Sequence, residues 1–64
     1  MNSHYNLFDV VTLLKPYQKI SQGAIGTIVE KVNEKNYLVE FSDDQGCMVA
    51  LEPLEESQLE LVRK

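Results

Sequence analysis

Residues 23–41 read GAIGTIVEKVNEKNYLVEF, and this stretch decides the fold. Gly23 and Gly26 open an apolar run, a polar turn follows at 33–35, and a second run carries Tyr37, Val39 and Phe41 on one face. Apolar residues on both faces of the first run and alternation in the second describe two antiparallel strands wrapped round a small core. Glycine inside a strand weakens it unless a bend or a close approach requires it, so Gly26 is read as the residue at which a long strand bends to serve both halves of a barrel wall.

Working outward, residues 9–14 form a first strand, which Pro16 ends because proline cannot donate to a ladder and biases Lys15 away from helix. Residues 16–22 form a loop folding over one side of the barrel, and residues 24–32 and 37–42 are the second and third strands. Asp43, Asp44, Gln45 and Gly46 make a tight turn in which aspartate caps backbone amides and glycine supplies a positive φ. A fourth strand spans 47–51, Pro53 stops it and starts a helical turn at 54–58, and a short strand at 59–62 closes the sheet. The fold class is therefore all-β: a small SH3-like barrel of about five antiparallel strands with one short 3-10 turn before the last. Its expected core is Val11, Leu13, Ile28, Val29, Val39, Phe41, Val49, Leu51 and Leu59. Tyr5 and Phe8 are expected to cover the bottom of the barrel. Residues 1–7 and 63–64 read as flexible tails around one domain at 8–62.

A chain of 64 residues holds one domain, which buries only about 60% of the surface its unfolded chain exposes. Its 44% hydrophobic and 25% charged content is that of a globular rather than a disordered chain. The apolar run at 7–14 is interrupted by Asp9 and too short to span a bilayer, and the single Cys47 is not the mark of a disulfide-stapled secreted domain. A cytoplasmic protein without a membrane anchor is expected. Ten carboxylates against six Lys and Arg give a net charge of -4, which disfavours nucleic acid because counterion release needs clustered cations.

The segments DVVTLL at 9–14, GAIGTIVE at 23–30 and YLVEF at 37–41, with Leu51, Leu54 and Leu59, resemble a family of small bacterial proteins known only as a domain of unknown function. The resemblance implies a five-stranded SH3-like barrel close to the KOW type of ribosomal and transcription factors, and genes adjacent to other small genes, some in toxin–antitoxin pairs. Where nucleic-acid-binding KOW domains carry a basic strip before the glycine pair, this chain has Ser21 and Gln22.

Chemistry is sparse. Cys47 has no His or Lys beside it to activate a thiolate, and His4 lies most of the chain away, so the two make neither a metal site nor a nucleophile pair. Glu52, Glu55, Glu56 and Glu60 read as a solvated acidic edge rather than an acid–base pair, and GAIG lacks the Lys and Ser or Thr of a phosphate loop. No enzyme, cofactor or metal is expected. What remains is a non-catalytic protein-binding module, antitoxin-like or accessory to a small neighbouring protein, that contacts a basic partner through Tyr17, Gln18, Lys19, Asp43 and Asp44. Tyr17 is either an interface anchor or a lid on the barrel end. The chain is expected to be a monomer or weak homodimer, and the alternative reading is an RNA- or ribosome-associated KOW-like domain. Generic RNA and DNA should not bind tightly at physiological salt, and a gel shift showing sub-micromolar, salt-sensitive affinity would overturn that reading.

Overall fold

Three short polar side chains set where the chain reverses. Asn33 Oδ1 accepts the amides of Lys35 (2.9 Å) and Asn36 (3.1 Å) together with Asn36 Nδ2 (3.0 Å). Asp43 Oδ1 accepts the amides of Gln45 (2.9 Å) and Cys47 (3.0 Å), and Asp9 Oδ2 accepts that of Asn6 (2.9 Å). Each substitutes a side-chain oxygen for a backbone carbonyl and so makes a reversal cheap. Gly46 completes the second turn at φ +83, as the sequence predicts.

This computed structural model describes residues 5–43 and 45–62. Between the turns lie β1 (Val10–Leu13), β2 (Ile25–Lys31), β3 (Asn36–Ser42) and β4 (Met48–Glu55), then a 3-10 turn (Glu56–Gln58) and β5 (Leu59–Leu61). The protein is all-β: the five strands form one antiparallel sheet in the order β4-β3-β2-β1-β5, and the 3-10 turn stands before the last strand.

One face of the sheet closes over Val11, Leu13, Ile20, Ile28, Tyr37, Val39, Phe41, Leu54 and Leu59. Gly26 sits in the middle of that face and pairs with Val11 on one side and Phe41 on the other. A Cβ there would lie 2.6 Å from Val39 Cγ1 and 2.9 Å from the Phe41 ring, so glycine is required by close approach. The irregularity of the strand comes later, as a bulge between Ile28 and Glu30 that leaves Val29 without a partner opposite. The bend expected at Gly26 is thus at Val29, and the glycine clears room for the core.

β4 departs most from expectation. It runs to Glu55, straight through Pro53, and the helical turn is confined to Glu56–Gln58. Proline is tolerated because β4 is an edge strand, where a missing N–H costs no ladder bond if it faces outward. The register pairs Tyr37 with Leu54, Val39 with Glu52 and Phe41 with Ala50, so the even-numbered residues from Ala50 to Leu54 face the core. Val49 and Leu51, expected in the core, are exposed, and Val29 is only half-buried. Ile20, Tyr37 and Leu54 take their places.

The two aromatic residues at the chain's start behave differently. Tyr5 is packed against the core; its hydroxyl donates to the Leu59 carbonyl (2.9 Å), and its ring meets Tyr37 at 5.4 Å between centroids. Phe8, expected beside it, points away: it is 73% exposed at φ +69, in a turn closed by Asp9 N–H on the Asn6 carbonyl (3.1 Å). Residues 1–4 and 63–64 of the expected tails lie outside the described residues.

Phe41→Ala should cost about 3–5 kcal/mol and leave so small a domain largely unfolded. Gly26→Val should destabilise the free protein by about 1–3 kcal/mol or more through overpacking. Circular-dichroism melts check both, and a cooperative transition at the wild-type temperature in either variant would contradict the packing. Burial chiefly, then the nearby Tyr37 and Glu60, holds the Tyr5 hydroxyl above its ordinary value. The folded state therefore keeps this proton longer than the unfolded chain, so the associated stability is complete below the unfolded pKa of about 10 and is lost as pH rises through the folded one. Urea melts from neutral to strongly alkaline pH should show a decline that is shallower in Tyr5→Phe.

Candidate binding surface

The residues between Met48 and Leu54 read MVALEPL, and the odd-numbered positions Val49 and Leu51 form the more apolar alternation. The fold turns that alternation outward and places Ala50 and Glu52 inward. Two features lock the register. Leu54 is buried opposite Tyr37, and Pro53 opposite Leu38 cannot donate to β3. A slip of one residue would expel Leu54 and set proline where a ladder amide is needed.

The outer face of the sheet is apolar as a consequence. Ile25 is 58% exposed, Met48 56%, Val49 61% and Leu51 46%. Val49 occupies a bulge, since Phe41 pairs with Ala50 while Ser42 pairs with Met48, and the bulge returns Met48 to the outer side beside Ser42. Glu40 lies at the centre of this face. Its β-sheet neighbours are Thr27 on β2 and Leu51 on β4, and its carboxylate makes no hydrogen bond or ion pair among the described residues. Single exposed apolar residues are ordinary, but several brought together on one sheet face make it the candidate binding surface.

The loop residues singled out by sequence are arranged differently. Tyr17 and Ile20 exchange backbone hydrogen bonds (3.0 and 2.8 Å) across a two-residue turn with Gln18 at φ +54. Ile20 is buried and Tyr17 half-buried against the core, while Gln18 and Lys19 stand exposed at the tip. Asp43 is exposed but uses one carboxylate oxygen to hold its own turn, and Asp44 lies outside the described residues. Because Gly26 pairs with Phe41, the topology sets the loop before β2 and the turn after β3 at the same end of the sheet. Asp43 there adjoins the apolar face, whereas Tyr17 packs inward.

A second exposed apolar pair, Leu7 and Phe8, lies beside Ile28, whose carbonyl accepts the Phe8 amide (2.6 Å). Asn6, Leu7, Val29, Glu30 and Lys31 line a shallow open groove there. No cluster of three or more His, Cys, Asp or Glu able to hold a metal ion occurs among the described residues, and no helix among them is long and apolar enough to cross a membrane. Cys47 is free and exposed.

The family model for a domain of unknown function, DUF4926, matches residues 7–61, and the chain belongs to that family. No curated protein and no solved structure matches it significantly.

If Tyr17 is a lid, Tyr17→Ala should lower the stability of the free protein by roughly 1–3 kcal/mol. Denaturant titration tests this, and an unchanged midpoint would return Tyr17 to the interface.

Proposed function

We propose that the chain is a non-catalytic protein-binding domain with an SH3-like architecture, and that it engages its partner through the outer face of β2, β3 and β4. The observation that carries this reading is the orientation of β4, which turns Val49 and Leu51 to solvent beside Ile25 and Met48. Fully burying one such side chain is worth about 1.5–3 kcal/mol, and a domain with so little core has reason to expose this much only where a partner covers it. The net charge of -4 and the carboxylates of Glu40 and Asp43 on or beside this face favour a basic partner. An antitoxin-like or accessory role toward a small basic neighbour fits this chemistry better than the RNA-binding KOW role, which wants cations where this chain has Ser21 and Gln22.

Affinity purification from the native cell tests the reading, with wild type, Ile25→Asp and Leu51→Asp as baits. Both substitutions are at exposed strand positions, where the poor strand propensity of Asp and, at 51, the like charge opposite Glu40 should cost about 1 kcal/mol, so melts of the free variants accompany the capture. The wild type should capture a basic protein, with recovery falling as salt rises, and both variants should lose it. Retention by both would move the interface elsewhere, and a nuclease-sensitive capture would favour the RNA-associated alternative.

A further inference from the structure

We propose that Glu40 is the specificity-determining residue of this face and that its ligand is an arginine side chain flanked by apolar residues on the partner protein. The inference rests on the binding face proposed above and names what that face selects. Two ways of meeting a partner are open to an exposed sheet: adding a strand at its edge, or docking side chains on its face. The edge is largely closed. At the far end of β4, Pro53 has no amide and the Glu55 amide is already bonded to Gln58 Oε1 (2.8 Å), which leaves Leu51 as the one regular outward amide among residues 51, 53 and 55. Strand addition would therefore gain few hydrogen bonds, and the face is favoured.

On the face, the register places Glu40 between Thr27 and Leu51, with Leu38 and Ser42 before and after it on β3. Ile25 and Met48 stand on the flanking strands at the Ser42 end, and Pro53 lies opposite Leu38. Glu40 is half-buried by these neighbours, yet its carboxylate has no partner among the described residues. An apolar partner surface closing over this face would strip water from the carboxylate and leave it uncompensated, a penalty that rejects neutral partners. A cation restores the balance. Arginine suits the site better than lysine because its planar guanidinium forks onto a carboxylate and is weakly hydrated, so its flat faces tolerate contact with Leu51 and Ile25. A second copy of this chain would bring another Glu40 and a further net charge of -4, which opposes self-association through the same face.

The test is selection of a displayed random-peptide library on the purified full chain. Binders that compete for the Leu51 face should be enriched in arginine set between apolar residues. Their affinity should fall about tenfold or more for Glu40→Gln and further for Glu40→Lys, and should be unchanged for Glu34→Gln in the remote β2–β3 turn. Melting of Glu40→Gln at the wild-type temperature confirms that the loss is not unfolding. Binders that need Leu51 but carry no cation, or that bind Glu40→Gln as well as wild type, overturn the arginine assignment and leave the binding face standing. Binders insensitive to Leu51→Asp, or none at all, overturn both. Sedimentation showing a dimer that Leu51→Asp dissociates would give the face to a second copy instead.

Discussion

One row of residues crosses all five strands, and its smallest member controls the rest. Leu61 pairs with Val11, Val11 with Gly26, Gly26 with Phe41 and Phe41 with Ala50. In that row Phe41 is flanked by glycine on one side and alanine on the other, so a large ring fills space that two small residues leave open. The arrangement is the large-against-small complementarity of a close-packed interior, achieved with side chains from neighbouring strands. Any side chain at Gly26 would collide with both Val39 and Phe41, and those two are the centre of the core. The sheet's tightness thus depends on an atom group that is missing.

Around that row, the two sheet edges are managed by different means. β5 is only three residues long, and the Leu59 carbonyl on it is capped by the Tyr5 hydroxyl. β4 is the longest strand, and it is blunted chemically by Pro53 and by the Gln58 side chain folding back onto the Glu55 amide. Short edges, proline and side-chain caps all prevent one sheet from templating another. Such an edge leaves side-chain recognition as the more accessible route to a partner.

The alternation of residues 37–41, the place of the polar turn at 33–35, the Asp43 cap and the position of Gly46 are all legible because each acts within a few residues. Strand number and the 3-10 turn followed from them. What sequence reading could not resolve was β4, where local signals conflict: Val49 and Leu51 argue for one face, Leu54 for the other, and Pro53 argues against a strand. Tertiary context decides, because proline's penalty vanishes on an edge and the bulge at Val49 resets the alternation in a way no periodicity reveals. The candidate site was missed for the same reason. In sequence Val49 and Leu51 have the pattern of core residues, and the inward packing of Tyr17 depends on the long-range position of its loop. Only the acidic Asp43 turn was located beside the face, and its carboxylate proves to have a turn to hold.

The conflict in β4 is itself informative. Natural sequences are locally consistent with their folds except where another requirement intervenes. Polar residues at 49 and 51 would satisfy the same register, since Thr27, Glu40 and Ser42 show that the outer face accepts them on the adjoining strands. Lysine or threonine at those positions would also protect the remaining open amide at Leu51 better than leucine does. Strand propensity favours valine at 49, but threonine would serve it as well, and aggregation argues against two apolar residues on an open edge. The proposed binding face gives their presence around an uncompensated carboxylate a reason. On that proposal the cover is apolar at its margins and cationic at its centre, and the strand whose alternation resembles core is the one the proposal assigns to binding.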